Sequence, residues 1–596
     1  MSRKLIEKLQ RLLRDERGTI LRPHGARLRV ALAFPNTYYL GMSNLGFQVV
    51  YRLFNEMPGV ACERVFLPDP EDCEEYRRTA TPLLTVETQR AVREFDILGF
   101  SVSYEPDYPN ILHILDLAGL PLRAADRDER HPLVLLGGPV TVLNPEPIAE
   151  FVDAMLIGEA EESLVRIADA VAEAGTDRQA TLEALAGIPG VYVPSFYDVH
   201  YHSDGTVAGF EAKRAGVPLP VRRVWVNDLE RLDTSSVITT PNTEFANMRL
   251  TEIMRGCGRH CRFCVVGYAF LPPRFKSGDT VQKTYANTVV GERVGLVGAS
   301  VYDHPDAEEV TSDLVSRSIP YNVSSLRADT ITPRLVQNMA LGGQQSITIA
   351  PEAGSERLRE FINKRLTADQ IRDAVATALR YGVRRVKLYY MVGLPTETME
   401  DVEGICETAE MIRSEFRPDR ISLSVSCHVP KPGAPFMWTG QDPLKVLEQK
   451  VQHVRSRLRK YPDVRVLGES PRMAVLEATL ARGDRRVSSL VYELYRAEGS
   501  TREAFRRSGV DPAFYAERPR ELNEVFPWDI IDLGFPKSYL WKEWQRALRG
   551  QQDPPCDVSV CSRCGICPGI RQELDPRPWV GLRDYLRTRR GVGAQR

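Results

Sequence analysis

The feature that most constrains this chain is a group of three cysteines, Cys257, Cys261 and Cys264, spaced C-x3-C-x2-C, with Phe263 directly before the last of them. Three thiolates so close together indicate a metal site, because thiolates are soft ligands that suit zinc, copper(I) and iron–sulfur clusters. A closed structural zinc site takes four ligands. The motif therefore predicts either a fourth ligand from elsewhere, such as His260 or a distant cysteine, or a coordination position left open.

The motif follows an apolar run at residues 250–254, and this arrangement resembles the radical S-adenosylmethionine (radical SAM) superfamily. The resemblance implies that the three cysteines hold three irons of a 4Fe-4S cluster and that the fourth iron binds S-adenosylmethionine (SAM). It further implies that the reduced cluster cleaves SAM to a 5′-deoxyadenosyl radical, which takes hydrogen from a substrate. On spacing alone, a zinc knuckle completed by His260 or a distant cysteine is the alternative.

Composition sets outer bounds on the fold and the partners. The length of 596 residues predicts three or four domains. The net charge of -1 excludes an overall positive charge that would attract nucleic acid. Seven of the eleven cysteines lie in two tight groups, which predicts a reducing, cytoplasmic location rather than a disulfide framework. No run is long and apolar enough for a membrane span, and the first residues have helical spacing. Residues 571–596, with seven arginines, are expected to form a solvated tail.

The first domain, residues 1–189, is predicted to be α/β. Apolar runs at 28–34, 96–102, 132–136 and 154–157 alternate with helical stretches such as 45–55 and 109–117, which favours a doubly wound parallel sheet of Rossmann or flavodoxin-like type. Such sheets bind ligands beyond the carboxyl ends of their strands, where Gly137 and Gly138 fall.

Residues 95–112 and 137–162 resemble the cobalamin-binding-like domain that precedes the barrel in one radical SAM subfamily. The resemblance implies a bound cobalamin near Gly137 and Gly138. The DxHxxG motif, whose histidine ligates cobalt in many cobalamin proteins, is absent, and residues 35–46 read PNTYYLGMSNLG instead. A corrinoid-free domain that serves packing or substrate contact is the alternative.

A hairpin around Asp204-Gly205 and a proline-dotted connector are predicted for residues 190–245. The central domain, 246–460, then repeats a strand–helix unit six times, with strands near residues 250, 296, 322, 348, 388 and 423. Six such units match the partial (β/α)6 TIM-like barrel of radical SAM enzymes. Active sites in these barrels lie at the carboxyl ends of the strands.

Several strand ends resemble the SAM-contact motifs of the superfamily, and the resemblance implies cofactor-binding roles, beside Phe263, for Gly298, Ser324, Glu352, Ser355 and Gly393. Each residue alone is also compatible with ordinary turn or helix-cap chemistry. The sixth strand ends in a loop that resembles the VPKPxTPFQW loop of the cobalamin-binding-like subfamily. Cys427 and His428 precede that loop, and they are expected to be a packed thiol beside a hydrogen-bonded histidine.

The C-terminal region, 461–596, is predicted to be mainly helical and to carry a four-cysteine metal site. Its cysteines are spaced C-x4-C-x2-C-x2-C: Cys556, Cys561, Cys564 and Cys567. The run ends in Cys-Pro and resembles half of a bacterial ferredoxin motif, which suggests a second iron–sulfur cluster. Zinc in a four-cysteine site is the alternative.

Together these patterns predict a cytoplasmic radical SAM enzyme that activates a substrate C–H bond, with cobalamin-assisted methyl transfer as the favoured reaction. Its partners would be an unidentified substrate and a reductant such as flavodoxin or ferredoxin. One alternative is a cobalamin-independent enzyme that modifies RNA or a ribosomal component, in the manner of methylthiotransferases. The other is a non-catalytic iron–sulfur protein, which would not bind SAM.

Overall fold

The computed structural model describes residues 1–22, 25–289, 291–558, 560–561 and 563–567. The predicted basic tail at 571–596 lies outside these residues. Among the described residues, no helix combines the length and the apolar character needed to cross a lipid bilayer.

The N-terminal region forms a six-stranded sheet in the order β2-β1-β3-β4-β5-β6, in which every pairing is parallel except β5–β6. The strands are β1 (Leu28–Phe34), β2 (Val60–Phe66), β3 (Ile97–Ser101), β4 (Leu133–Gly137), β5 (Ala154–Leu156) and β6 (Val191–Tyr192). The helices are α1 (Arg3–Asp15), α2 (Tyr38–Gly41), α3 (Leu45–Glu56), α4 (Pro70–Arg78), α5 (Tyr108–Leu117), α6 (Pro139–Leu143), α7 (Ser163–Ala174) and α8 (Arg178–Ala186). The doubly wound sheet predicted from the sequence is present, and its order changes direction between β1 and β3, where such sheets bind ligands.

Strand β2 was not predicted because charged residues interrupt its apolar pattern. Arg64 in this strand is fully buried, and its guanidinium donates to Glu16 at 2.7 Å and to Glu87 at 2.6 Å. A buried charge is tolerated only when it is paired and hydrogen-bonded. The two glutamates that make this strand possible lie far from it in sequence, so the local pattern of residues 60–66 could not reveal it.

The connector contains the predicted hairpin, formed by β7 (Tyr197–Tyr201) and β8 (Val207–Ala212). A short strand, β9 (Val221–Arg222), follows. It pairs in parallel with residues 531–532 of the C-terminal region. The connector is therefore bound to the C-terminal part of the chain as well as linking the first two domains.

The central region is a curved parallel sheet, and the cysteine motif follows its first strand. Its strands and the small hairpin beside the motif are β10 (Met248–Glu252), β11 (Met254–Arg255), β12 (Arg274–Phe275), β13 (Arg293–Val297), β14 (Tyr321–Val323), β15 (Ser346–Glu352), β16 (Arg385–Val392), β17 (Arg420–Cys427) and β18 (Val464–Leu467). Hydrogen bonds join β10-β13-β14 and β15-β16-β17-β18, and a parallel bridge between Leu326 and Ile349 connects the two groups.

Helices cover the outside of this sheet. They are α9 (Gly278–Tyr285), α10 (Ala307–Ser316), α11 (Pro333–Leu341), α12 (Glu356–Phe361), α13 (Ala368–Arg380), α14 (Met399–Phe416) and α15 (Leu444–Leu458). All six predicted strands are present, and β18 adds a seventh parallel strand beyond residue 460, the predicted end of the barrel. This edge strand has a weak signal because it is short and half exposed, with Leu467 51% accessible.

The C-terminal region is mainly helical, as predicted. It contains α16 (Pro471–Arg482), α17 (Ser488–Arg496), α18 (Thr501–Ser508), β19 (Ile531–Asp532) and α19 (Lys537–Leu548). Helices α16 and α17 share the apolar core of the N-terminal sheet, and the Asn144 side chain donates to the carbonyl oxygens of Ala481 and Gly483 at 3.0 and 2.7 Å. The chain thus returns from the barrel to cover the first domain.

Gly138, at the carboxyl end of β4, allows a stability test. Its φ is +112°, and a Cβ atom there would overlap the carbonyl oxygen of Val102. Replacing Gly138 by Ala is expected to cost at least about 1–3 kcal/mol, because strain and overlap act together. Thermal unfolding should show a lower midpoint for Gly138→Ala. The matched control is Gly137→Ala, whose Cβ would meet nothing within 4 Å. Equal midpoints for both variants would contradict the overlap.

Candidate functional site

The three motif cysteines lie on the loop that joins β11 to β12. Cys261 is buried, and Cys257 and Cys264 are half buried. Burial, together with the charge of Cys261, raises the pKa of Cys257 to about 12 and that of Cys264 to about 11. Without a metal these thiols hold their protons, so a bound cation must supply the stabilisation that turns them into ligands.

The spacing of the sulfur atoms bears on which metal fits. Among the described residues, the one group of three or more His, Cys, Asp or Glu ligand atoms that lie within 4.8 Å of one another is Glu403, Cys406 and His453. The three motif cysteines form no such group with a fourth His, Cys, Asp or Glu ligand in the described part of the chain. Three thiolates without a fourth protein ligand suit a cluster in which each thiolate binds a different iron atom.

His260, the proposed zinc ligand, packs against Tyr268 with ring centroids 5.3 Å apart. Burial, together with the charges of Arg563 and Arg365, lowers the pKa of His260 to about 4. The ring is therefore neutral near pH 7. It forms no compact ligand group with the three cysteines in the part of the chain that the structure describes.

The predicted SAM-contact residues lie at the carboxyl ends of successive strands. Gly298 follows β13 and touches Met254, and Ser324 follows β14 and is exposed. Glu352 ends β15 at a φ of +72°, which is unusual for a residue with a side chain, and accepts a hydrogen bond from Lys364 at 3.1 Å. Such strained positions cluster at ligand sites. Gly393 follows β16, and its N–H donates to Glu397 at 2.6 Å.

Ser355 has its hydroxyl already engaged. The oxygen accepts from the N–H of Leu358 at 3.1 Å, which caps α12, and the hydroxyl donates to Asp401 of α14. The structure thus gives this serine a helix-capping geometry. The cofactor contact predicted for it remains a prediction.

A cavity of about 480 Å³ opens at the mouth of the barrel beside the cysteine loop. Its lining comes from the loop, the strand ends, the N-terminal domain and the C-terminal region: Tyr104, Phe263, Met391, Ser424, Ser426, Cys427, His428, Val429, Lys431, Gly468, Glu469 and Glu477. Phe263 is the one predicted SAM-contact residue among them. The position of the cavity, at the carboxyl ends of the strands, is where such barrels bind substrates.

Cys427 and His428 line this cavity, and one part of the expectation for them is wrong. His428 is buried, but neither ring nitrogen has a hydrogen-bond partner among the residues that the structure describes. Burial and the charge of Arg482 lower the pKa of His428 to about 3, so the ring is neutral. Burial likewise raises the pKa of Cys427 to about 12. The histidine therefore keeps two unused polar atoms at the wall of the cavity.

Sequence reasoning missed the charged residues of this cavity. The Lys431 ammonium donates to Glu105 of the N-terminal domain at 2.6 Å and contacts Glu477 of α16 at 2.7 Å. The lysine lies in the loop that resembled a family motif, whereas its two partners had no local signal.

A second cavity, of about 410 Å³, lies between the N-terminal sheet and the strands that precede the cysteine loop. Most of its walls are apolar residues of the sheet, α3 and α7, and it reaches Glu252, Arg255 and Val297 of the barrel. Gly137 and Gly138 both line it. A Cβ atom on Gly137 would have no protein atom within 4 Å. A glycine at this position therefore avoids no clash within the protein, but it does keep the cavity open.

Buried charges tie the two domains together beside this cavity. Arg255 donates to Glu159, Glu161 and Glu252 at 2.7–2.8 Å, and Arg274 donates to Glu159 at 2.7 Å. Burial alone would raise the pKa of Glu159, but the charges of Arg274 and Arg255 hold it at about 2. Sequence analysis singled out none of these carboxylates.

The four C-terminal cysteines also come together. Cys556, Cys564 and Cys567 are buried, and Cys561 is half buried. The Cys556 thiol shares hydrogen bonds with the thiols of Cys561 and Cys567, which raises its pKa strongly. The four thiols therefore face a common site.

Comparison with known families agrees with this geometry. Residues 251–409 match the family described as Radical SAM superfamily, and residues 46–194 match the family described as Radical SAM proteins, N-terminal. The chain belongs to the radical SAM superfamily. The first match contains the cysteine loop and the ends of β13 to β16, and the second covers most of the N-terminal sheet.

Curated relatives of this radical SAM chain include proteins without an assigned reaction. The uncharacterized protein MJ0966 of Methanocaldococcus jannaschii is 29% identical over 77% of this chain and 89% of its own length. The uncharacterized methyltransferase PH0819 of Pyrococcus horikoshii is 22% identical over 48% of this chain and 59% of its own length. A tRNA-2-methylthio-N(6)-dimethylallyladenosine synthase of Bacillus cytotoxicus is 23% identical over 35% of this chain and 43% of its own length.

Solved structures with related shapes include the radical SAM methyltransferase TsrM of Kitasatospora setae, determined with cobalamin and a 4Fe-4S cluster. It is 14% identical, with a TM-score of 0.44 over 81% of this chain and 99% of its own. The cobalamin-dependent radical SAM enzyme OxsB gives 14% and 0.42, over 64% of this chain and 51% of its own.

A 4Fe-4S cluster and SAM are the cofactors that this superfamily implies. The residues present fit the cluster: three thiols lie on one loop, and no fourth ligand joins them among the described residues, so a fourth iron would have no protein ligand. Phe263 lies in this loop. The ends of the neighbouring strands carry Gly298, Glu352 and Gly393.

The buried ion cluster around Arg255 predicts a pH dependence. Because the folded pKa of Glu159, about 2, lies below its ordinary 4.5, its stabilisation is complete above pH 4.5 and is lost as the pH falls toward 2. The loss is on the order of 3 kcal/mol. Thermal midpoints measured from pH 7 to pH 3 should fall less steeply for Glu159→Gln than for the wild type. Glu211→Gln, an exposed control, should follow the wild type. Parallel curves for all three proteins would contradict this role.

Proposed function

We propose that this radical SAM protein activates a substrate C–H bond and transfers a methyl group to it with the help of cobalamin. The observation that supports this reading most is the apolar cavity at the edge of the N-terminal sheet. It reaches Glu252 and Arg255, directly before the cysteine loop, and Gly137 leaves it open. One ligand there and one at the barrel mouth would approach the same loop from two sides.

Specific residues would carry out the first half of this reaction. Cys257, Cys261 and Cys264 would bind the cluster, and Phe263 would form the wall between the loop and the cavity at the barrel mouth. When bound, the reduced cluster supplies the electron that cleaves SAM. The strand ends that bear Gly298 and Glu352 would position SAM.

The cavity at the barrel mouth would hold the substrate. Its polar groups include the unpartnered ring of His428 and the Lys431 ammonium, which Glu105 and Glu477 fix in place. A neutral histidine can accept one hydrogen bond and donate another. It would therefore orient a polar substrate group without adding charge.

Cobalamin would bind at the carboxyl edge of the N-terminal sheet, the usual ligand site of doubly wound folds. Residues 35–46 contain no histidine, so the corrinoid would be held without a cobalt ligand from that loop. Asn36, in this loop, already donates its side-chain amide to Asp107 at 2.8 Å. Cobalamin would supply methyl-transfer chemistry, and the protein would supply an apolar, water-poor pocket.

The alternative is a cobalamin-independent radical SAM enzyme that modifies RNA or a ribosomal component. Its support is the similarity to the methylthio-transferring tRNA enzyme, which covers 35% of this chain. The four C-terminal cysteines would then hold an additional cluster. This alternative predicts that no corrinoid co-purifies with the protein. A non-catalytic iron–sulfur protein, the third reading, would not cleave SAM.

The first test is anaerobic reconstitution followed by quantification of 5′-deoxyadenosine and S-adenosylhomocysteine under reduction, with and without hydroxocobalamin. We expect the wild type to form 5′-deoxyadenosine and Cys261→Ala to form none, because the loop then lacks one cluster ligand. Cys73→Ser, a cysteine outside both metal motifs, should match the wild type. S-adenosylhomocysteine that depends on cobalamin would support methyl transfer, and neither product with cell extract as substrate would contradict the proposal.

The second test fills the proposed corrinoid pocket. Gly137→Ala adds a methyl group that projects into the cavity without touching the protein, so we expect unchanged thermal stability but cobalamin binding weakened at least about tenfold, a loss of about 1.4 kcal/mol. Equilibrium dialysis with hydroxocobalamin measures this directly. Unchanged affinity would place the corrinoid elsewhere or exclude it.

A further inference from the structure

The C-terminal cysteine segment lies directly on the catalytic cysteine loop. The N–H of Cys556 donates to the carbonyl oxygen of Gly258 at 2.7 Å, and Gly258 follows Cys257 in the chain. A Cβ atom on Gly258 would lie 3.2 Å from the Cβ of Cys556, so the two backbones are in close contact. The first cysteine of the second set therefore lies next to the first cysteine of the catalytic set.

A second contact joins the same two segments. The side-chain amide of Asn363 donates to the carbonyl oxygen of His260 at 3.0 Å, and its oxygen accepts from the N–H of Asp553 at 2.9 Å. The buried guanidinium of Arg262 donates to the carbonyl oxygens of Phe361 and Gln551. One asparagine and one arginine thus fix the backbone before Cys556 against the backbone of the catalytic loop.

Apolar contacts extend this interface. Cys564 and Ile566 pack in the same buried cluster as Tyr268 and Leu271, which follow Cys264 in the chain. The ring of Tyr539, from the helix that precedes the cysteine segment, lies 6.3 Å from the ring of Tyr268. The second cysteine set therefore shares a packed core with residues that directly follow the first set.

The arrangement of the four C-terminal thiols bears on what they bind. The thiol of Cys556 lies within hydrogen-bond reach of the thiols of Cys561 and Cys567, and burial together with the charges of these two raises the pKa of Cys564. Four thiolates can close a tetrahedral zinc site by themselves. They can also bind the four irons of a 4Fe-4S cluster, and the C-x2-C-x2-C spacing that ends in Cys-Pro favours the cluster.

We propose that Cys556, Cys561, Cys564 and Cys567 hold a second iron–sulfur cluster, which passes electrons to the catalytic cluster across the contact between Cys556 and Gly258. A low-potential protein electron carrier would reduce the second cluster by one electron. That electron would move to the catalytic site and be consumed when the carbon–sulfur bond of SAM breaks. This inference rests on the proposed radical SAM chemistry of the first site.

Each cysteine set has at least one thiol that is only half buried: Cys561 in the second set, and Cys257 and Cys264 in the first. Val560, beside Cys561, is 61% accessible, so a protein carrier could dock beside the second site. The packed contact then gives electrons a short path between the two centres, both of which must be kept from water.

The decisive experiment compares two electron sources on the reconstituted full-length protein. Cys564→Ala removes a ligand of the second site, and Cys73→Ser is the matched control. With dithionite, a small reductant that can reach the catalytic site directly, Cys564→Ala should still form 5′-deoxyadenosine within about threefold of the wild type. With flavodoxin and its reductase, its rate should fall at least about thirtyfold. Equal rates of the variant and the wild type with flavodoxin would overturn the relay.

Metal content and spectroscopy provide readouts that do not depend on turnover. The wild type should bind about eight irons per chain and Cys564→Ala about four, since each 4Fe-4S cluster contributes four. Electron paramagnetic resonance of the dithionite-reduced wild type should show two interacting clusters, whereas Cys564→Ala and Cys261→Ala should each show one isolated signal. One zinc per chain, with iron unchanged in Cys564→Ala, would overturn the second cluster while leaving the radical SAM reading intact.

Circular dichroism and thermal unfolding separate these outcomes from a folding defect. If Cys564→Ala unfolds, the conservative Cys564→Ser replaces it in both assays. If the wild type itself forms no 5′-deoxyadenosine with either reductant, this result would contradict the proposed function rather than the relay.

Discussion

The arrangement of this protein depends on the buried charges around Arg255. This arginine lies two residues before Cys257, and three carboxylates surround it at hydrogen-bond distance. Leaving a buried charge without its partners costs several kcal/mol, so the position of the arginine is fixed wherever its partners are fixed. Glu159 and Glu161 follow β5 of the N-terminal sheet, and Glu252 ends β10. The catalytic loop is thereby held at a defined place against the sheet.

That placement explains how one loop can face two different cavities. The cavity under Gly137 is apolar, and the cavity at the barrel mouth is lined by charged and polar side chains. Lys431, with Glu105 and Glu477, connects the barrel to the N-terminal domain on the second side, as Arg255 does on the first. Because both connections are buried ion pairs, separating the domains would leave charged side chains without their partners at two places at once.

The sequence predicted what depends on local patterns. The cysteine motif, the six main strands of the barrel and Gly137 with Gly138 at a strand end were all readable from spacing and periodicity. Strand β2 was missed because Arg64 disrupts its apolar pattern, and the glutamates that neutralise it are distant in sequence. The hydroxyl of Ser355 looked free for a ligand, but Asp401 engages it, and Asp401 lies 46 residues away. The partners of Arg255 and Lys431 had no local signal for the same reason.

The contact between Gly258 and Cys556 is the clearest case of information that only the folded chain contains. The two residues lie about 300 positions apart, yet the N–H of Cys556 donates to the carbonyl oxygen of Gly258, and the side-chain amide of Asn363 donates to the carbonyl oxygen of Asp553. Arg262 is fully buried, and one of its two backbone acceptors is Gln551. Removing that acceptor would leave a buried guanidinium partly unpaired, at a cost of about 1–3 kcal/mol or more. The C-terminal cysteine segment therefore belongs to the structure of the loop that bears Cys257, Cys261 and Cys264.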